Sequence, residues 1–207
     1  MVLCDGRRRT ILGLVGSPGS GKSTLAELLC RHVEARWGAD AVALVPMDGF
    51  HLADAQLDRL GLRDRKGAPE TFDAHGYAHL LSRVRRDIDV EIYAPGFDRH
   101  LEQPLAAAIA VPPAVRLVVT EGNYLLHTDP AWREVRALLD AAWFVTTDAD
   151  TRKARLIARH VEFGKTPQQA RAWVATVDEP NAELVEATAA TADRVVVNGS
   201  AGWAVSA

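Results

Sequence analysis

The stretch that decides the fold is "TILGLVGSPGSGKSTLAELL", residues 10–29. Thr10 to Val15 make a short, β-branched apolar run, which reads as a buried strand. "GSPGSGKST" (16–24) then fits G-x-x-x-x-G-K-[ST] through Gly16, Gly21, Lys22 and Ser23. Glycines let the backbone curl until successive N–H groups face an anion, and the helix that follows adds its positive N-terminal end. That helix starts near Lys22 and keeps Leu25, Leu28, Leu29 and Val33 at helical spacing. A dinucleotide fingerprint would need G-x-G-x-x-G, whereas the order here is G-x-x-G-x-G followed by lysine. The loop therefore reads as a nucleotide-phosphate site built from Gly16, Ser17, Gly19, Ser20, Gly21, Lys22, Ser23 and Thr24. Lys22 would reach the β- and γ-phosphates of ATP, and the Ser23 hydroxyl would ligate Mg²⁺.

Outward from this loop the chain alternates. Further strands are expected at 41–46, 116–121, 141–147 and 193–199, with helices clearest at 76–87, 130–140 and 150–162. Alternation of this kind means βαβ units and a parallel sheet. The expected fold is α/β in three layers, a P-loop NTPase fold with a mainly parallel five-stranded sheet in a single domain. About seventy residues separate the second and third strands, too many for a plain crossover, so 50–112 reads as a functional insertion. Ligands of open α/β sheets bind beyond the carboxyl ends of the strands. The phosphate loop, Asp48 and Glu121 all fall there.

The bulk numbers narrow the class. With 207 residues, 48% of them hydrophobic and 25% charged, the chain suits one large soluble domain. A formal charge of −3 gives no reason to expect nucleic acid as an obligatory partner. Cys4 and Cys30 make no disulfide framework and fit a reducing cytoplasm. No apolar run reaches the roughly 20 residues of a membrane span. "RRRTILGLVG" (7–16) places basic residues before an apolar run, but the run ends in the glycine loop and reads as a mature N-terminus.

Two carboxylates stand out. An Asp-Gly pair such as Asp48-Gly49 is most often a turn. Beside a phosphate loop, a carboxylate at the end of the second strand also has the placement of a base that orients the attacking hydroxyl. Glu121, delivered by "LVVTEGNYLL" (117–126), stands where many P-loop enzymes keep an aspartate near Mg²⁺. Its longer side chain suits either the metal or the acceptor.

The series "GSPGSGKST", "MDGFH", "KGAPETFD", "EIYAPGFDR" and "EGNYLL" resembles the P-loop kinases of small metabolites, which include uridine kinases, bacterial-type pantothenate kinases and phosphoribulokinase. With "RHVEFGKTPQQARAWVATVDEPNA" (159–182) added, the series is most similar to compact bacterial nucleoside/nucleotide kinase-like proteins, some labelled fructose-transport-system kinases. The resemblance covers nearly the whole chain. It implies that Asp48 receives the proton of the acceptor hydroxyl, that Asp73 binds substrate hydroxyls, and that Tyr93 lines the acceptor pocket. Uridine kinases follow that tyrosine with an aspartate, an aromatic and a histidine, and here Ala94, Pro95 and Gly96 take their places. Arg99 could still supply a cation to that wall.

"DADTRKARLIARH" (148–160) reads as a helix capped by Asp148 or Asp150, with Arg152, Arg155 and Arg159 on one face. The resemblance makes 150–180 a lid whose Arg155 and Arg159 close over the transferring phosphates, a task suited to the planar guanidinium. His51 is a candidate acceptor contact. Arg65 and Lys66 read first as exposed loop cations, and Asn198 falls near the adenine by fold analogy. The histidines make no zinc-like cluster with cysteines. The expectation is an ATP- and Mg²⁺-dependent phosphotransferase with a small hydroxyl-bearing acceptor, a sugar such as fructose before a nucleoside or a pantothenate-like molecule. It expects no nucleic acid and no membrane, and it is compatible with a homodimer. A nucleotide-binding switch without an acceptor is the competing class.

Overall fold

The computed structural model describes residues 8–206; Cys4 and Arg7 lie outside them. The chain runs β1 (Thr10–Val15), α1 (Lys22–Trp37), β2 (Val42–Leu44), α2 (Asp54–Leu60), α3 (Ala74–Arg86), β3 (Ile92–Asp98), β4 (Gln103–Val111) and β5 (Leu117–Gly122). It continues through α4 (Pro130–Ala137), β6 (Ala141–Thr146), α5 (Ala149–Glu162), α6 (Pro167–Trp173), α7 (Glu179–Glu186), β7 (Arg194–Gly199) and β8 (Gly202–Ser206). The fold is a mixed α/β sandwich around a mostly parallel sheet, ordered β2-β5-β1-β6-β7-β8.

Side-chain alternation along the central strands builds two cores. In β1, Ile11 and Val15 face one layer while Leu12 and Leu14 face the other. The second layer holds Leu25, Ala26, Cys30 and Val33 of α1. The first holds α3 and α4, where Tyr77 and Trp132 pack with Phe72 and Tyr124 of the adjoining loops at ring distances of 5.6–6.5 Å, edge to face except for the tilted Tyr124–Trp132 pair. Cys30 is buried among apolar side chains, and burial pushes its thiol up to about 11, which leaves it unreactive.

Two expectations need correction. The main sheet has six strands among the described residues, because β8 adds antiparallel to β7 across a short turn between Gly199 and Gly202. The second strand is shorter than 41–46: Val45 still donates to Val119 at 2.9 Å, and Pro46, which has no N–H to give, ends the pairing. The insertion is a structure of its own, with α2, α3 and a β3–β4 hairpin bulged between Ala94 and Gly96.

Candidate active site

A cavity of about 810 Å³ opens at the carboxyl ends of β1, β2 and β5. Its floor is the loop between β1 and α1. Gly16, Gly19 and Gly21 all have positive φ there. Gly21 shows why: with φ at +102°, an added Cβ would stand 2.4 Å from Nδ2 of Asn198. That amide donates to the Ser20 carbonyl at 3.0 Å, so β7 braces the loop from behind. Lys22 crosses the loop, donating to the Ser17 carbonyl at 3.2 Å and to Oδ1 of Asn123 at 2.8 Å. Burial holds its ammonium below the ordinary value, with Glu121 and Asp48 pulling the other way.

Ser23 Oγ donates to Oε1 of Glu121 at 2.8 Å. A hydroxyl and a carboxylate so placed are hard oxygen donors suited to Mg²⁺. The curled loop with its buried lysine equally suits the phosphates of ATP. Burial raises Glu121 above the usual carboxylate range, opposed by Lys22 and reinforced by the negative charge of Asp48.

Asp48 sits on a single helical turn, Met47–Phe50, which Pro46 starts and the fully buried Met47 anchors. Its carboxylate accepts from Nη2 of Arg99 at 2.5 Å. Burial acts to raise Asp48, but His51, Arg99, Lys22 and Arg159 outweigh it and hold the carboxyl below its ordinary value. The residue is therefore ionised and able to accept a proton at neutral pH.

The insertion hairpin leans directly on this turn. Gly49 is required by that contact, since a Cβ there would meet the Pro95 carbonyl oxygen at 2.3 Å. His51 lies between Phe72 and Phe97, at centroid distances of 4.0 and 4.8 Å, and its Nδ1 meets the Asp48 carbonyl at 2.9 Å. Lys66, read from sequence as an exposed cation, is largely covered and donates to Oδ1 of Asp54 at 2.8 Å. Arg65 pairs with Glu70 at 2.7 Å.

On the lid side, Asp148 caps α5 by accepting from Thr151 N at 2.8 Å. Arg155 and Arg159 of that helix line the cavity. Arg152 departs from them: it is buried and pairs with Glu179 at 2.6 Å.

The structure brings together Lys22, Ser23, Thr24, Gly19, Gly21, Asp48, His51, Arg99, Glu121, Arg155 and Arg159 around one cavity. It leaves Asp73 and Tyr93 out. Asp73 is the N-cap of α3, its carboxylate taken by Gly76 N at 2.8 Å. Tyr93 alternates with the buried Ile92 and Ala94, which turns it outward at 58% exposure. Gly16, Ser17 and Ser20 shape the loop from outside the cavity lining; the Ser17 hydroxyl is bound to Glu186 of α7 at 2.5 Å. Sequence reasoning missed Asn123, which follows Glu121 by two positions, and His160, Asp178 and Asn181 of the segment from α5 to α7.

No family model matches the chain. It is similar to a Schizosaccharomyces pombe protein provisionally named a uridine kinase, at 35% identity over 196 residues covering 92% of this chain and 83% of that one. An uncharacterized Escherichia coli protein, YggC, is 36% identical over 190 residues, covering 92% of this chain and 78% of its own. Among solved structures, a kinase of Silicibacter sp. TM1040 provisionally assigned to a fructose transport system superposes with a TM-score of 0.79 at 36% identity, over 89% of each chain.

Proposed function

Because this chain belongs to the P-loop kinases of the uridine kinase, pantothenate kinase and phosphoribulokinase type, we propose that its cavity transfers the γ-phosphoryl group of ATP to a hydroxyl of a small polar metabolite, a sugar such as fructose first among candidates. One observation carries this reading: an ionised Asp48 shares a cavity with Lys22 and the Ser23–Glu121 pair. A nucleotide switch needs no acceptor pocket, and Asp48 is a second carboxylate in the cavity beside Glu121.

The loop from Gly16 to Thr24 would hold the ATP phosphates, with Lys22 on the β- and γ-oxygens. Ser23 and Glu121 would hold Mg²⁺, which supplies charge neutralisation. Asp48 takes the proton of the acceptor hydroxyl as its oxygen bonds to the γ-phosphorus and the bond to the ADP oxygen breaks. Arg155 and Arg159 meet the charge that spreads over the phosphoryl oxygens. Arg99 keeps Asp48 charged and aimed, and His51, whose imidazole burial holds below its ordinary value, meets the main-chain carbonyl of the same residue.

One feature favours a sugar over a nucleoside: the side chains at Ala94, Pro95 and Gly96 are too small to clamp a base, and the Pro95 carbonyl is already packed on Gly49. The names of the similar proteins divide between the two, fructose transport for the Silicibacter structure and uridine kinase for the Schizosaccharomyces pombe protein. The reading also places the protein in the cytoplasm; among the described residues no helix is long and apolar enough to cross a membrane. A phosphate-transfer screen of sugars, nucleosides and vitamin precursors tests the proposal. At least one hydroxyl-bearing metabolite is expected to speed ADP release well above the water background, and a broad panel with no such acceptor would replace it with the switch reading.

A further inference from the structure

Two side chains just beyond β5 have no part in the transfer step, yet each holds a piece of the cavity. Glu121, near the end of that strand, binds the Ser23 hydroxyl, and Gly122 packs on the side chain of Met47, which anchors the Asp48 turn. The next two residues reach further. Asn123 takes the Lys22 ammonium, its Oδ1 accepting at 2.8 Å. Tyr124 donates its hydroxyl to the Gly67 carbonyl at 2.5 Å. Asn123 and Gly67 both line the cavity.

On the nucleotide side the chemistry of the Asn123 contact matters. Lys22 feels the negative charges of Glu121 and Asp48. Its hydrogen bonds nonetheless go to two neutral oxygens, the Ser17 carbonyl at 3.2 Å and the Asn123 amide. An ammonium has three N–H groups, so one is left to donate. A carboxylate in place of Asn123 would compete with the phosphates for the lysine's charge. Asn123 fixes the ammonium and leaves that charge whole.

On the acceptor side Tyr124 acts from the core. It is fully buried, with its ring packed against Phe72 and Trp132 at centroid distances of 5.6 Å. Close packing of this kind fixes where its hydroxyl stands. The carbonyl it holds lies mid-way along the loop from α2 to α3, between the single helical turns Arg63–Arg65 and Pro69–Thr71. Arg63, Asp64, Lys66 and Gly67 of that loop face the cavity. Lys66 stands over the Phe97 ring at 5.7 Å, and Phe97 packs on His51 beside Asp48. The loop therefore belongs to the wall that the acceptor hydroxyl would approach.

Two neighbouring residues thus grip the phosphate loop and the acceptor wall. Phosphoryl transfer is sensitive to that spacing, since a misplacement of about 1 Å can cost ~10²-fold in rate. We propose that Asn123 and Tyr124 are positioning residues that register the two substrates against each other, Asn123 through Lys22 for the transferring phosphate and Tyr124 through the Gly67 loop for the acceptor. The inference rests on the kinase reading of this cavity and adds the residues that fix its geometry.

The test uses the full chain and its variants, with ATP affinity measured by titration and ADP release measured without acceptor and with D-fructose, D-ribose, uridine or pantothenate. Asn123→Ala should weaken ATP binding about 10-fold, the lower end for a lost hydrogen bond to a charged group, and leave the acceptor KM within about 2-fold. Asn123→Asp keeps an acceptor for Lys22 but takes up its charge, and should weaken ATP binding further than Asn123→Ala. Tyr124→Phe removes one hydroxyl and keeps the aromatic packing. It should raise the acceptor KM about 3- to 10-fold, with ATP affinity and acceptor-free ADP release within about 2-fold of wild type.

Unchanged ATP affinity in Asn123→Ala, or an unchanged acceptor KM in Tyr124→Phe, overturns this inference and leaves the kinase reading standing. So do equal losses toward both substrates in both variants, which is what a general loss of stability would give. Turnover of none of the four acceptors by the wild-type chain overturns it together with the readings that name them.

Discussion

Arg99 Nη2 lies 2.5 Å from Asp48 Oδ2, joining the tip of the insertion hairpin to the turn after β2. The two residues stand 51 positions apart in the chain. The same guanidinium lies over the Phe97 ring at 5.1 Å, and Phe97 packs on His51, whose Nδ1 meets the Asp48 carbonyl. The proposed base and the insertion hairpin are thus one connected structure, and the hairpin contributes to the charge and direction of the Asp48 carboxylate.

Replacing Arg99 by Ala should move the acid limb of kcat/KM to higher pH. The sign follows from the balance at Asp48. Burial acts to raise its pKa, while His51, Arg99, Lys22 and Arg159 hold it down. Removing the Arg99 guanidinium leaves burial less opposed, so the carboxylate protonates at a higher pH and the base is lost earlier on acidification. Rate profiles of wild type and variant across the acidic and neutral range check this. An acid limb that stays in place, or moves toward lower pH, would show that the Arg99 pair does not govern the base.

Arg155→Ala and Arg159→Ala should each lower kcat by about 10²- to 10³-fold while changing ATP affinity far less, because these cations meet charge that develops only during transfer. Steady-state kinetics beside an ATP titration separates the two effects. Unchanged turnover in both variants would make this face of α5 an ordinary surface.

Gly21→Ala should damage both stability and nucleotide binding. An alanine at φ +102°, with its Cβ directed at Nδ2 of Asn198 2.4 Å away, must shift the loop or break the Asn198–Ser20 brace. A left-handed non-glycine residue costs about 1–2 kcal/mol, which for a chain of this size lowers Tm by roughly 2–8 °C. ATP affinity should fall with it. A melting curve and an ATP titration that both match wild type would place the loop's rigidity elsewhere.

The phosphate loop was legible because its function needs consecutive residues: the glycines, Lys22 and Ser23 act through local backbone shape. The carboxylates at strand ends were legible for a related reason, since a buried strand announces where it stops. β8 was not, because Gly202 to Ser206 is short and its pairing depends only on a tight turn after β7. Asp73 and Tyr93 were placed through a resemblance where local rules pointed otherwise. An aspartate just before a helical run is an N-cap signature, and the period of two between Ile92, Tyr93 and Ala94 turns the tyrosine outward. Lys66 is hidden by Asp54, twelve positions earlier on α2. His160 and Asp178 meet across eighteen residues and a π turn that no periodicity foretells.

The most direct test of the whole account is Asp48→Asn, which keeps the side chain's size and turn-forming shape but removes the proton acceptor. kcat with the acceptor found in the transfer screen is measured beside an ATP titration on this one variant. The account predicts a loss of about 10²- to 10⁴-fold in kcat, the usual contribution of a general base. It also predicts retained ATP binding, because the loop from Gly16 to Thr24 supplies that site. Near-normal turnover with intact ATP binding would contradict it and reduce Asp48 to a turn residue.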